Sequence, residues 1–72
     1  MEHQQIMQLL GEQLKEQRHH RNLTQKRLGE LSDTKTSCIC DLEKGKGNPE
    51  LKTLCKITEA LNAELVVRIR KK

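Results

Sequence analysis

The chain has 72 residues, with 14 Lys or Arg against 10 Asp or Glu and a formal net charge of +4. A domain of this length buries only about 60% of the surface its unfolded chain exposes, which leaves no room for an enclosed catalytic pocket and makes self-association a natural source of stability. There is no Phe, Trp or Tyr, so the core must be aliphatic and no stacking platform for single-stranded nucleic acid or unpaired RNA loops exists; duplex DNA suits the composition better.

The positive balance suits an anionic partner, although a chain that is one-third charged also makes an ordinary solvated surface. Its distribution is uneven: residues 1–33 carry five Lys/Arg against five Asp/Glu, residues 34–48 three against two, and residues 49–72 six against three. No apolar run is long enough to span a membrane, and there is no signal-peptide core or acid-poor transit peptide, so a cytoplasmic location is expected. Cys38, Cys40 and Cys55 read as reduced packing residues, because C-x-C on a helix lacks the C-x₂-C loop spacing of a metal site.

In chain order, the first predicted helix runs from Glu2 to Arg21 with Ile6, Met7, Leu10 and Leu14 inward, and Asn22 is its left-handed stop. His19 and His20 read as solvated side chains near the negative end of that helix rather than metal ligands. Thr24 caps a second helix, which runs to Ser32 with Leu28 and Leu31 on its buried stripe. Asp33 and Thr34 supply a turn. A third helix is predicted from Lys35 to Lys44, stopped by Gly45, with Ile39 and Leu42 inward and Lys35, Thr36, Ser37 and Asp41 outward. Such a short face of small polar side chains fits a major groove.

The segment KGKGNP, residues 44–49, is a flexible basic turn. A fourth helix follows from Pro49 to Asn62, with Leu51, Leu54, Ile57 and Leu61 inward and Cys55 and Thr58 flanking them. Beyond it the period changes. Leu65, Val67 and Ile69 alternate with Val66, Arg68 and Arg70 as in a half-buried strand, and since no second strand is predicted, the natural partner is the same segment of another copy.

Leu23-Thr24-Gln25, Leu28-Gly29-Glu30, Ile39, Leu42-Glu43-Lys44-Gly45-Lys46 and Asn48-Pro49 resemble, without a gap, the Xre family of phage-repressor-type helix-turn-helix domains. The similarity extends upstream to Leu10-Gly11, Leu14 and Arg18, and downstream to Leu51, Leu54, Ile57 and Leu61. It implies an all-α, lambda-repressor-like helix-turn-helix domain of four to five helices over residues 1–62. Residues 63–72 are then a C-terminal dimerisation strand, a β-strand that pairs between subunits, with a basic tail.

The resemblance also assigns roles. It implies base-edge contacts by Lys35, Thr36, Ser37 and Asp41, and phosphate contacts by Thr24, Gln25, Lys44, Lys46 and Asn48, with Gly45 and Gly47 letting main-chain N–H groups approach. Arg18 and Glu43 match the positions of a partly buried structural ion pair. The dimer interface falls on Leu65, Val66, Val67 and Ile69. Three residues depart from the family pattern: Asp33 stands where Gly is preferred, Cys40 where Ser is frequent, and Asp41 brings an acid toward phosphates unless it accepts from cytosine N4.

A lone domain of this type with a C-terminal strand is similar to HipB-like antitoxins. That likeness implies a homodimeric, sequence-specific repressor of its own toxin-antitoxin operon, acting on a palindromic operator in double-stranded DNA and binding a toxin such as a HipA-type kinase, with no cofactor and no membrane association. Two other readings stay open: an autonomous phage-type repressor or restriction-modification controller, which dimerises through a fifth helix, and a protein-interaction adaptor that binds no DNA. Catalysis finds no support, since no nucleophile has a base and an orienting acid at motif spacing.

Overall fold

In a computed structural model, which describes residues 2–72, the chain forms four helices: α1 (His3–His20), α2 (Gln25–Ser32), α3 (Thr36–Glu43) and α4 (Leu51–Ala60). No fifth helix is present among the described residues, and none of the four is long and apolar enough to cross a membrane. α3 packs against both α1 and α2, while α2 also packs against α4. The core is aliphatic, built from Met7, Leu14, Leu28, Ile39, Leu42, Leu54, Ile57 and Leu61.

Each helix ends in the same way. The chain turns through a left-handed residue, Asn22, Asp33, Gly45 or Asn62, with φ of 56°, 52°, 76° and 53°. At each end the following N–H reaches back five residues, from Leu23 to Arg18, Thr34 to Gly29, Lys46 to Asp41 and Ala63 to Thr58, at 2.8–3.1 Å. These are Schellman caps, which satisfy terminal carbonyls that a straight helix end leaves open. Asn and Asp tolerate the conformation better than other L-residues, so Asp33 is able to replace the expected glycine.

Two glycines allow the helices to meet. A Cβ on Gly11 of α1 would collide with the Leu42 carbonyl oxygen of α3, and one on Gly29 would lie 2.7 Å from the Thr34 carbonyl oxygen in the α2–α3 turn. Both contacts are with backbone, which no rotamer change can relieve.

Several inward assignments need correction. Ile6, Leu31 and Leu51 are exposed, at 49%, 47% and 61%. The stripe of α1 runs instead through Met7, Gly11, Leu14 and Arg18, and that of α2 through Leu28, Gly29 and Ser32. α4 starts at Leu51 rather than Pro49, with Glu50 as its N-cap.

The tail also departs from expectation. Residues 63–72 form no strand among the described residues, and their last backbone hydrogen bond is from Ala63 to Thr58. A ladder needs a second row of N–H and C=O groups, which a single copy does not supply. Of the expected inward series only Leu65 packs on the core; Val67 and Ile69 are exposed.

Candidate nucleic-acid interface

α3 is anchored from behind. Ile39 and Leu42, each 2% exposed, hold it against α1 and α2, and this fixes which side faces outward. Lys35 is its N-cap without a side-chain cap bond, so the first N–H groups of the helix are left for an outside acceptor. Lys35, Thr36, Ser37 and Asp41 are all exposed. Thr36, Ser37 and Asp41 recur at the spacing of one helical face, and Cys40, half-buried, completes it.

The turn that orients α3 is closely built. Thr24 Oγ1 accepts from the Arg27 N–H at 3.0 Å, capping α2. Thr34 Oγ1 donates to the Ser32 carbonyl at 3.1 Å, and the buried Ser32 hydroxyl donates to the Leu28 carbonyl at 2.7 Å. Lys26, to which the sequence reading gave no role, lines the same shallow depression as Lys35 and Thr36, which it shares with the carboxylates of Glu30 and Asp33. Its signal is its place in the first turn of α2, where an exposed side chain stands next to free helix-terminal N–H groups.

On the far side of α3, the loop Lys44–Pro49 folds back, with the Lys46 N–H donating to the Asp41 carbonyl at 2.8 Å. Lys44, Lys46 and Asn48 are exposed, and nothing lies within 4 Å of the position a Gly47 Cβ would occupy. α1 pins the start of this loop: Gln4 Nε2 donates to the Gly45 carbonyl at 3.2 Å, and Gly45 packs on Gln8. Two glutamines one turn apart were the available signal. Cys38 is half-buried and lines a depression of about 260 Å³ with Ser37, Asp41, Lys46 and Asn48. It thus lies where the helix face and the basic loop meet.

A buried polar network ties these parts together. Arg18 Nε donates to Glu43 Oε2 at 2.6 Å and Nη2 to Oε1 at 2.9 Å, while Nη1 donates to the Leu23 carbonyl at 2.7 Å. The two side chains are 9% and 4% exposed. Gln25 Nε2 also donates to Glu43 Oε1, at 3.2 Å, which engages part of the amide expected at a phosphate and leaves its other N–H available. Arg18 Nη2 further lies 3.2 Å from His19 Nε2.

This fork–fork geometry shifts both groups toward charge. The hydrogen bond to Glu43 raises Arg18 further above its ordinary value. Burial alone would raise Glu43, but the bonds from Arg18 and Gln25 outweigh it and hold the carboxyl below the ordinary carboxylate range. The pair joins the end of α1 to the end of α3. Its charge is spent internally, whereas the exposed cations Lys26, Lys35, Lys44 and Lys46 flank a face of small polar groups.

A family profile described as helix-turn-helix matches residues 14–67, more than half of the chain. No curated protein matches the chain.

Proposed function

Because the chain belongs to the helix-turn-helix family, whose members are sequence-specific DNA-binding regulators, we propose that it is a repressor and, more narrowly, the antitoxin and autorepressor of a toxin-antitoxin operon. The observation that carries the DNA reading is the outer face of α3, where Thr36, Ser37 and Asp41 stand between Lys35 and the Lys44–Lys46 loop. Lys35, Thr36, Ser37 and Asp41 read base edges in this proposal. Thr24, Gln25, Lys44, Lys46 and Asn48 hold the sugar-phosphate backbone. No step of this function asks for catalysis or a cofactor.

The tail supports the narrower reading. Residues 64–70 have no backbone partner among the described residues, yet alternate apolar and polar side chains as a paired strand does. Antiparallel pairing of this segment between two copies gives a homodimer whose recognition helices lie about 34 Å apart, one duplex turn, on a palindromic operator. The toxin partner would be the product of the adjoining gene, of HipA-kinase type.

Co-expression tests this. An antitoxin relieves growth arrest caused by its neighbour's product and co-purifies with it. A chain that binds its own promoter but has no such neighbour is an autonomous regulator of phage or restriction-modification type, and one that binds no duplex at all is an adaptor.

A further inference from the structure

A cleft of about 530 Å³ lies between α1 and the root of the tail, floored by Leu10, Leu14, Leu61 and Leu65 and rimmed by Gln13, Gln17 and the carboxylate of Glu16. Beyond it the chain continues as Val-Val-Arg-Ile-Arg-Lys-Lys, with Ile69 95% exposed. A cleft with an aliphatic floor and a polar rim that carries Glu16 thus adjoins a projecting apolar and basic tail. From this juxtaposition we propose that the cleft is the seat for the tail end of a second copy of the chain, with Ile69 of that copy over the apolar floor and its Lys71 against Glu16.

The inference rests on the strand pairing proposed above and specifies what that pairing does. In an antiparallel pair, residues directly opposite share one face of the sheet. Leu65 is half-buried on the core, so the face that carries it is the inner one. Overlap of residues 64–70 puts the two-fold at Val67 and places Ile69 of the second copy opposite Leu65, directly beside the cleft. The same register sets Glu64 opposite Arg70 and Val66 opposite Arg68 on the outer face, turning Glu64 and Val66 from the cleft that they edge in the single chain, with no like charges opposed. It carries Lys71 past Ala63 on the inner face, where Ala63 and Glu16 both line the cleft. Shifting the register by one residue would put Arg68 opposite Leu65, turning a charge onto the apolar floor.

Reach agrees with this geometry. Residues 67–71 span about 13 Å as a strand, and from Glu16 to Leu10 along α1 is about 9 Å, so one tail end covers the cleft without strain. The exchange is reciprocal, because each copy supplies one tail and one cleft, so the assembly closes as a dimer.

The test is sedimentation equilibrium of four full-length variants against the parent chain. Ile69→Asp, Glu16→Lys, Lys71→Glu and the double variant Glu16→Lys/Lys71→Glu all change exposed side chains, so the monomer fold should be unaffected. Ile69→Asp should weaken the dimer at least tenfold. Each single charge reversal should weaken it about threefold, and the double variant should restore it, as expected of a partly exposed ion pair. Glu16 is on α1, outside the strand, so strand pairing alone cannot produce that rescue. Val67→Glu at the two-fold is the control for strand pairing. If Val67→Glu gives monomers while the Ile69 or Glu16 variants dimerise like the parent, the cleft is not the seat and strand pairing stands. If Val67→Glu has no effect, or the parent chain is monomeric, both readings fall together.

Discussion

Arg18 and Glu43 are the side chains on which the largest single effects should fall. Removing one partner of a buried ion pair strands the other, so Glu43→Ala is expected to cost about 3 kcal/mol in chemical denaturation. The lowered carboxyl value of Glu43 also fixes a pH dependence. A group depressed in the folded state contributes stability above its unfolded value, and this is lost as pH falls through the folded value. Melting temperature should therefore drop on acidification below about pH 4.5, and the drop should be shallower in Glu43→Gln. At Gly11, alanine would gain about 1 kcal/mol of helix propensity but must push α1 from the Leu42 carbonyl, and a net loss of about 2 kcal/mol is expected in thermal unfolding. Arg18 and Glu43 were legible as a partly buried structural pair through the family pattern, and the place of Arg18 in the buried stripe of α1 was not. The stripe of α1 passes through Gly11 and Arg18, neither of which an apolar count includes, and at about 100° per residue Ile6 falls about 100° from Met7, off that stripe. Leu31 is displaced for the same reason, since the buried arc of α2 runs from Leu28 through Ser32 to Gly29 and Leu31 falls about 60° beyond its Leu28 edge.

Helix ends were read from the sequence more closely than helix faces. Asn22 and Gly45 stop α1 and α3 where their αL tolerance predicts, and Asp33 takes the conformation usually given to glycine. Starts were less legible: Pro49 lies outside α4, because Glu50 has extended backbone angles and acts as the N-cap. Since Asp33 occupies αL at a steric cost, Asp33→Gly should stabilise the fold by about 0.5 kcal/mol in denaturant titration, and Asp33→Val should destabilise it by more than 1 kcal/mol. Two elements of the interface should respond differently to substitution. Neutralising Lys44 or Lys46 in the loop should weaken binding to all duplexes and flatten the salt slope by about 0.9 per lost phosphate contact. Changing Thr36 or Ser37 on α3 should instead cost about 1–3 kcal/mol at one base pair and leave the slope unchanged. Equal, sequence-independent losses from both sets, measured by fluorescence anisotropy across a salt series, would remove the division of labour between loop and helix.

In the whole molecule, the helical body and the tail differ in how far one copy determines them. The four helices find their partners within the chain, and their periodicity, caps and aliphatic core are properties of the sequence alone. The tail's alternation records side-chain sides but not what the segment pairs with, and of its apolar side chains only Ala63 and Leu65 pack on the core of the single chain. If the tails pair between two copies as proposed, dimerisation and tight operator binding are coupled, and Val67→Glu should abolish both while leaving the secondary structure of the helical body intact by circular dichroism. The central claim concerns α3, whose exposed face is held outward by Ile39 and Leu42 beside a basic loop. Its most direct test is selection from a randomised duplex library with the parent chain, repeated with Thr36→Ala/Ser37→Ala. We expect the parent to enrich a palindrome with half-sites one helical turn apart, bound more weakly as salt rises, and the double variant to lose preference at defined positions of each half-site. Recovery of no enriched duplex by the parent, or of the same site by the double variant, would contradict the reading of α3 as the recognition element.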